Sequence, residues 1–225
     1  MTGQKQTQAA SDGQSPEDGR SHDLQKALEQ RTGLLHELDH RVKNNLQLIS
    51  SLMLLQARHA HEPAVKTALE AMHERLNAIA VVHRGLFMTE DPGRFDIAAF
   101  VRDLAAELAG ARPGVRIMLD LEPVAMRTGH AAALALLINE LLINALRHAY
   151  PEGRQGEVRV KITRSGSEMR IGIADDGVGM ANANQEQGFG LSIVDLLSRQ
   201  LQARVAWEDA HPGVHVAVTL PVEAE

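Results

Sequence analysis

Asn139-Glu140-Leu141-Leu142-Ile143-Asn144-Ala145-Leu146-Arg147-His148 is an apolar helical run with polar groups set into it. Glu140 and Asn144 stand four apart on one side, and Arg147 and His148 continue that side a turn later. The whole stretch from 131 to 148 reads as helix. A carboxylate and an amide buried there without partners would be costly. Two arrangements satisfy them. One is Mg²⁺ with phosphate oxygens, because Mg²⁺ takes hard oxygen ligands and keeps part of its water. The other is a set of polar neighbours at a helix end or an interface.

Two further stretches lie downstream. Asp175-Asp176-Gly177-Val178-Gly179-Met180 follows a predicted strand directly. A carboxylate at a strand end can accept a hydrogen bond from the exocyclic amine of adenine, and alternate glycines let the backbone approach a flat base. Taken alone, the stretch is also an ordinary acidic glycine turn. Gly188-Phe189-Gly190-Leu191 opens a helix, and glycine amides at a helix N-terminus make a phosphate site. Taken alone, it is also a loop feeding a helix.

Upstream stands Asp39-His40-Arg41-Val42-Lys43-Asn44-Asn45-Leu46-Gln47. Leu35, Leu38, Val42, Ile49 and Met53 share one apolar helix face. His40 lies about 200° from Leu38 on the helical wheel. His36, Asn44, Gln47 and Ser51 follow the His40 side, with Lys43 close by. The imidazole of His40 is therefore read as an outward-facing nucleophile, with Asn44 one turn on.

The 225 residues accommodate a small helical domain and one of ordinary size. Hydrophobic residues make up 44% and aromatics 3%, so the cores must be built from Leu, Val, Ile and Ala. There is no cysteine, which excludes disulfides and thiolate metal sites and is compatible with a reducing cytoplasm. The formal charge of −6 argues against nucleic acid as the main partner. The longest apolar run, 131–138, is too short to span a membrane, and no signal-peptide pattern opens the chain.

Residues 1–20 are expected to be disordered. A helix is expected over 21–60, a break at Glu62-Pro63, and a second helix to about 87 with Val65, Leu69, Met72, Leu76, Ile79 and Val82 as its stripe. Such a hairpin cannot bury both stripes alone, so a homodimeric four-helix bundle is expected. Asp91-Pro92-Gly93 marks the expected boundary, placing a helical domain at 21–90 and an α+β sandwich at 91–225. Asp96 is placed to cap a helix over 97–109. Strands are expected over 115–121, 124–126, 157–164, 168–174, 203–208 and 214–220, with a helix over 190–201.

The order Glu-x-x-x-Asn helix, strand ending in Asp-x-Gly-x-Gly, loop, Gly-x-Gly and helix resembles the N, G1 and G2 boxes of the GHKL ATP-binding fold. His40-Arg41-Val42-Lys43-Asn44-Asn45 resembles the phosphoacceptor box of the histidine-kinase branch related to HWE kinases. The resemblance implies ATP and Mg²⁺ as cofactors, with Asn144 holding the metal and Glu140 near it or its waters. It implies that Asp175 reads adenine, and that Gly177, Gly179, Met180, Gly188, Phe189, Gly190 and Leu191 line the nucleotide. Arg147 and His148 would lie near phosphate, and His40 would accept the γ-phosphoryl group, with Asp39 or Glu37 the nearest assisting base. It also implies a response-regulator receiver domain as partner, and a sensor carried elsewhere. Three departures stand out: a short loop at 181–187, Gly213-Val214 where the family usually has Gly-Thr, and Arg41 after the histidine where an acidic residue is better known. The Gly213-Val214 departure is expected to loosen the phosphate side.

An alternative is a histidine phosphotransferase or regulator-directed phosphatase on the same scaffold. A serine kinase sharing the ATP boxes needs neither the paired helices nor His40. His59 and His61 flank the helix break without further metal ligands. His73 and His83 read as helix-surface or satisfied interior residues, and Trp207 as strand packing.

Overall fold

Leu35, Leu38, Val42, Ile49 and Met53 lie on one long helix, α1 (Pro16–His59), in the computed structural model, which describes residues 16–87, 93–110, 112, 114–179 and 189–222. The helix begins at Pro16, so residues 16–20 are helical rather than the disordered segment expected for 1–20. Pro63 opens α2 (Pro63–Phe87) after a three-residue break, where a proline costs nothing because the first-turn amides have no helical partner. The chain divides into two units, residues 1–45 and residues 46–225.

Within the second unit, β1 (Arg94–Asp96) leads to α3 (Ile97–Leu108), and the Asp96 carboxylate caps that helix by accepting from the Ala99 amide at 3.0 Å. Then come β2 (Val115–Leu121), β3 (Ala125–Arg127), α4 (Thr128–His148), β4 (Gly156–Ser165), β5 (Glu168–Asp175), α5 (Phe189–Gln200), β6 (Arg204–Asp209) and β7 (Val214–Pro221). The main sheet runs β2-β4-β5-β7-β6, with β2 and β4 parallel and the other pairs antiparallel. β1 and β3 form a separate two-stranded sheet.

Alternation along the strands gives the sheet one buried face. Val158, Val160 and Ile162 of β4, Met169, Ile171 and Ile173 of β5, and Val216, Val218 and Leu220 of β7 all point into it. The intervening Arg159, Lys161 and Arg170 are exposed. α4 packs over the buried face, with Leu134, Leu137, Ile138 and Leu142 fully buried. By length and composition α4 could cross a membrane, with a mean hydropathy of 1.5 over its most apolar window. However, 67% of that window is buried inside the protein, as befits a core helix.

The boundary expected near residue 91 does not separate two cores. Ala78, Val81 and Val82 of α2 are buried in the same cluster as Phe95, Ile97, Leu134 and Leu141. Burying a valine is worth roughly 1.5–3 kcal/mol, so the second half of α2 is part of the sandwich. Its first half is different: Val65 and Met72 of the expected stripe are 44% and 50% exposed.

Candidate active site

α4 carries the site's first half. Both oxygens of Glu140 are taken by Arg75 of α2: Nε donates to Oε1 at 2.6 Å and Nη2 to Oε2 at 2.7 Å. The Glu140 side chain is 4% exposed and that of Arg75 is 18% exposed. The sequence predicts a metal or its waters beside this carboxylate; the structure puts a guanidinium there. The reason is electrostatic, since a carboxylate this buried requires a cation. One residue earlier in α2, Glu74 accepts from Arg147 Nη2 at 2.7 Å. Phe189, at the start of α5, places its ring 5.3 Å from the Arg75 guanidinium carbon and is itself exposed. Gly190 follows, and a Cβ there would sit 3.1 Å from Glu140 Oε2 and 3.6 Å from Asn144 Oδ1. The N-terminus of α5 therefore lies against Glu140 and Asn144. Leu191 is exposed, as is His148 at the end of α4. Asn139, next to Glu140, is buried with neither amide atom hydrogen-bonded.

Among the described residues no cluster of three or more His, Cys, Asp or Glu is placed to hold a metal. Asn144 offers a side-chain oxygen beside Glu140, whose own two oxygens are held by Arg75. One such ligand fits Mg²⁺ arriving with phosphate, an ion usually held by one or two protein ligands plus phosphates and water.

The second half surrounds Asp175, the last residue of β5. The side chain is buried, and Oδ1 accepts from the Gly177 amide at 3.0 Å and the Val214 amide at 3.2 Å. Burial pushes its carboxyl above the ordinary value, against the pull of those two amides. Gly213-Val214, where the chain departs from the family pattern, packs on Asp175. Gly213 (φ +93°) would put a Cβ 1.8 Å from the Asp175 carbonyl oxygen. Gly177 lies against the end of α4, where a Cβ would meet Ala149 at 2.4 Å, and Val178 N–H donates to the Ala149 carbonyl at 3.0 Å. Gly179 (φ +76°) faces Gly213 across the turn. Met180, Gly188 and the loop between them lie outside the described residues.

Sequence reasoning missed what holds this turn. Asp176 Oδ1 accepts from the Tyr150 hydroxyl and the Glu157 amide, both at 2.9 Å, and the same hydroxyl lies 2.8 Å from the Glu157 carbonyl. Burial opposes ionisation of Asp176, but the Glu157 amide and Tyr150 hydroxyl outweigh it and hold the carboxyl below its usual range. Burial, then the hydrogen bond to that anion, pushes the Tyr150 phenol well above its own range. The end of α4, the start of β4 and the Asp175 turn are thus fastened at one hydroxyl. Tyr150→Phe is expected to cost about 1–2 kcal/mol by removing the hydroxyl that donates to the Asp176 carboxylate. A calorimetric melting point lowered by roughly 2–6 °C would show it. A depressed carboxyl pKa contributes stability present above the ordinary carboxylate value and lost as pH falls through the lowered one. The deficit of the variant should therefore shrink in acid.

In the first unit, His40 is exposed on α1 and Asn44 Nδ2 lies 3.3 Å from its Nδ1. Glu37, named as a possible base, is bound to Arg41 at 2.6 Å. The side chain of Asp39 lies outside the described residues. In the second unit Gln47 and Ser51 are exposed, and Ser51 Oγ donates to the Gln47 carbonyl at 2.9 Å. His59 sets Nδ1 2.8 Å from the Leu55 carbonyl, an ordinary helix-end contact.

Residues 37–111 match the family described as "Histidine kinase", and residues 129–224 match "Histidine kinase-, DNA gyrase B-, and HSP90-like ATPase". The chain belongs to the histidine kinases. Among relatives of this histidine kinase is sensor histidine kinase PdtaS of Mycobacterium tuberculosis, 30% identical over 205 residues, covering 88% of this chain and 41% of the relative. Another is blue-light-activated histidine kinase 2 of Erythrobacter litoralis, 24% identical over 223 residues, covering 95% of this chain and 62% of that one. The chain spans about two fifths of the length of the mycobacterial relatives it matches. The fold is that of the histidine kinase domain of the Erythrobacter litoralis EL346 blue-light-activated kinase, with a TM-score of 0.61 and 19% identity, covering 78% of this chain and 96% of that one. The described residues of the three stretches lie on α4, at the end of β5 and at the start of α5. Glu74 and Arg75 carried no signal beyond two charges on the polar side of a helix.

Proposed function

We propose that this chain is the ATP-dependent phosphotransfer part of a two-component histidine kinase, working in the cytoplasm as a homodimer. The observation that carries the reading is one chain holding an exposed histidine in a phosphoacceptor box and, after it, a buried Asp175 and an Asn144–Glu140 helix in an ATPase fold. The imidazole nitrogen of His40 attacks the γ-phosphorus of ATP, the bond to the β–γ bridging oxygen breaks, and ADP leaves. Asn44 lies beside the ring, with its amide Nδ2 3.3 Å from Nδ1 and able to donate to it. Asn144 would hold Mg²⁺ with Glu140 near it or its waters, and the ion would supply charge neutralisation on the triphosphate. Asp175 accepts from the adenine amine, and Arg147 offsets phosphate charge. The phosphoryl group then passes from His40 to an aspartate of a response-regulator receiver domain.

The homodimer is supported by apolar surface on the two helices of the second unit: Leu48, Ile49, Leu52 and Leu55 of α1 and Met72 of α2 are 41–61% exposed. Incubation with γ-labelled ATP and Mg²⁺ tests the reading. One acid-labile, base-stable phosphoryl group per chain is expected, with subsequent transfer to a receiver domain. Absence of label together with absence of ATP-analogue binding would favour the adaptor alternative.

A further inference from the structure

Two consecutive residues of α2 form a crossed pair with two residues of the nucleotide-facing helix. Arg75 grips the Glu140 carboxylate through both oxygens, and Glu74 accepts from Arg147. A cation thus meets the anion of the site, and an anion meets its cation. The guanidinium is the more committed of the two: it is 18% exposed, capped on one side by the Phe189 ring and joined to a carboxylate that is 4% exposed. A fork of this geometry is specific to Arg and matches a carboxylate in both angle and spacing.

We propose that Glu74-Arg75 is an internal latch on the nucleotide site. It competes with the Mg²⁺-bound triphosphate for Glu140 and Arg147. The inference rests on the ATP-site reading above. While Arg75 holds both Glu140 oxygens, neither is free to accept from metal-bound water, and a second cation beside the same carboxylate meets like-charge repulsion. Arg147, paired to Glu74, is likewise unavailable to phosphate. The latch residues precede Ala78, Val81 and Val82, the α2 residues buried in the sandwich core. Releasing the latch therefore loosens the helix that follows the phosphoacceptor helix in sequence. Nucleotide loading and α2 docking become two ends of one equilibrium, linked reciprocally.

The experiment uses the full chain, Mg²⁺ and a non-hydrolysable ATP analogue. Calorimetry compares wild type with Arg75→Met, which keeps the aliphatic stem and removes the fork. A latch closed nine tenths of the time lowers apparent affinity about tenfold, so the variant should bind about tenfold tighter. Arg75→Lys, retaining charge without the fork, should fall between. Hydrogen exchange of α2 in wild type supplies an arm that needs no variant: exchange over residues 74–86 should quicken when Mg²⁺ and analogue are added. Unchanged or weaker binding by Arg75→Met, or α2 exchange indifferent to analogue in a wild type that binds it, overturns the latch while leaving the ATP site standing. Failure of both proteins to bind overturns the ATP-site reading and the latch with it.

Discussion

His40→Ala is expected to abolish acid-labile label from γ-labelled ATP, a loss of at least about a thousandfold, because a covalent nucleophile has no partial substitute. The same variant should bind Mg²⁺ and an ATP analogue with wild-type affinity. His40 is exposed, and its described polar contact is to Asn44, also exposed, so truncation leaves no buried group unsatisfied. Surface changes of this kind stay within about 0.5 kcal/mol in stability. The two readouts separate loss of the acceptor from loss of the site. Label that persists in His40→Ala would assign the chemistry to another residue; His59 and His61, both exposed, are the first to examine.

Asp175→Asn should do the reverse, removing nucleotide binding and sparing the fold. Both described backbone donors, from Gly177 and Val214, go to Oδ1, and an amide oxygen can accept from them equally well. The other position changes from acceptor to donor and faces the adenine amine with a like group. A lost charged hydrogen bond of about 2–3 kcal/mol corresponds to roughly 30- to 150-fold in affinity. The effect on stability has the opposite sign. Burial raises the carboxyl pKa of Asp175 in the folded protein. Such a group contributes stability that is fully present below the ordinary carboxylate pKa and lost as pH rises through the folded value. At pH 7 the ionised form is therefore a net cost, and the neutral amide relieves it. The melting temperature of Asp175→Asn at pH 7 should equal or exceed that of wild type. The difference should close as pH is lowered into the range where Asp175 itself is protonated. Undiminished analogue affinity in this variant would remove Asp175 from the adenine role.

The parts of the site that were legible in the sequence are those whose chemistry and spacing are local. The four-residue step from Glu140 to Asn144, the strand ending at Asp175 and the glycine before α5 each follow from one element's period. The side chains that brace them are not local. Tyr150 meets Asp176 across 26 residues and Arg75 meets Glu140 across 65, and no window of periodicity connects such positions. Val214 shows the same limit from the other direction. Its side chain departs from the family pattern, yet its contribution to Asp175 is a backbone amide, which a side-chain comparison does not register.

By itself the sequence determined the elements and their order: the two helices broken at Pro63, the Asp96 cap, the alternating strands with one apolar face, and the polar residues of α4. Each is set by interactions among near neighbours and by which face of an element is apolar. Only the tertiary structure decided what covers those faces. Half of α2 joined the sandwich core rather than a bundle, and that docking delivered Glu74 and Arg75 to Arg147 and Glu140. An amphipathic pattern states that a surface must be buried but not against what, and charges brought together from distant positions find their partners only once the chain has packed.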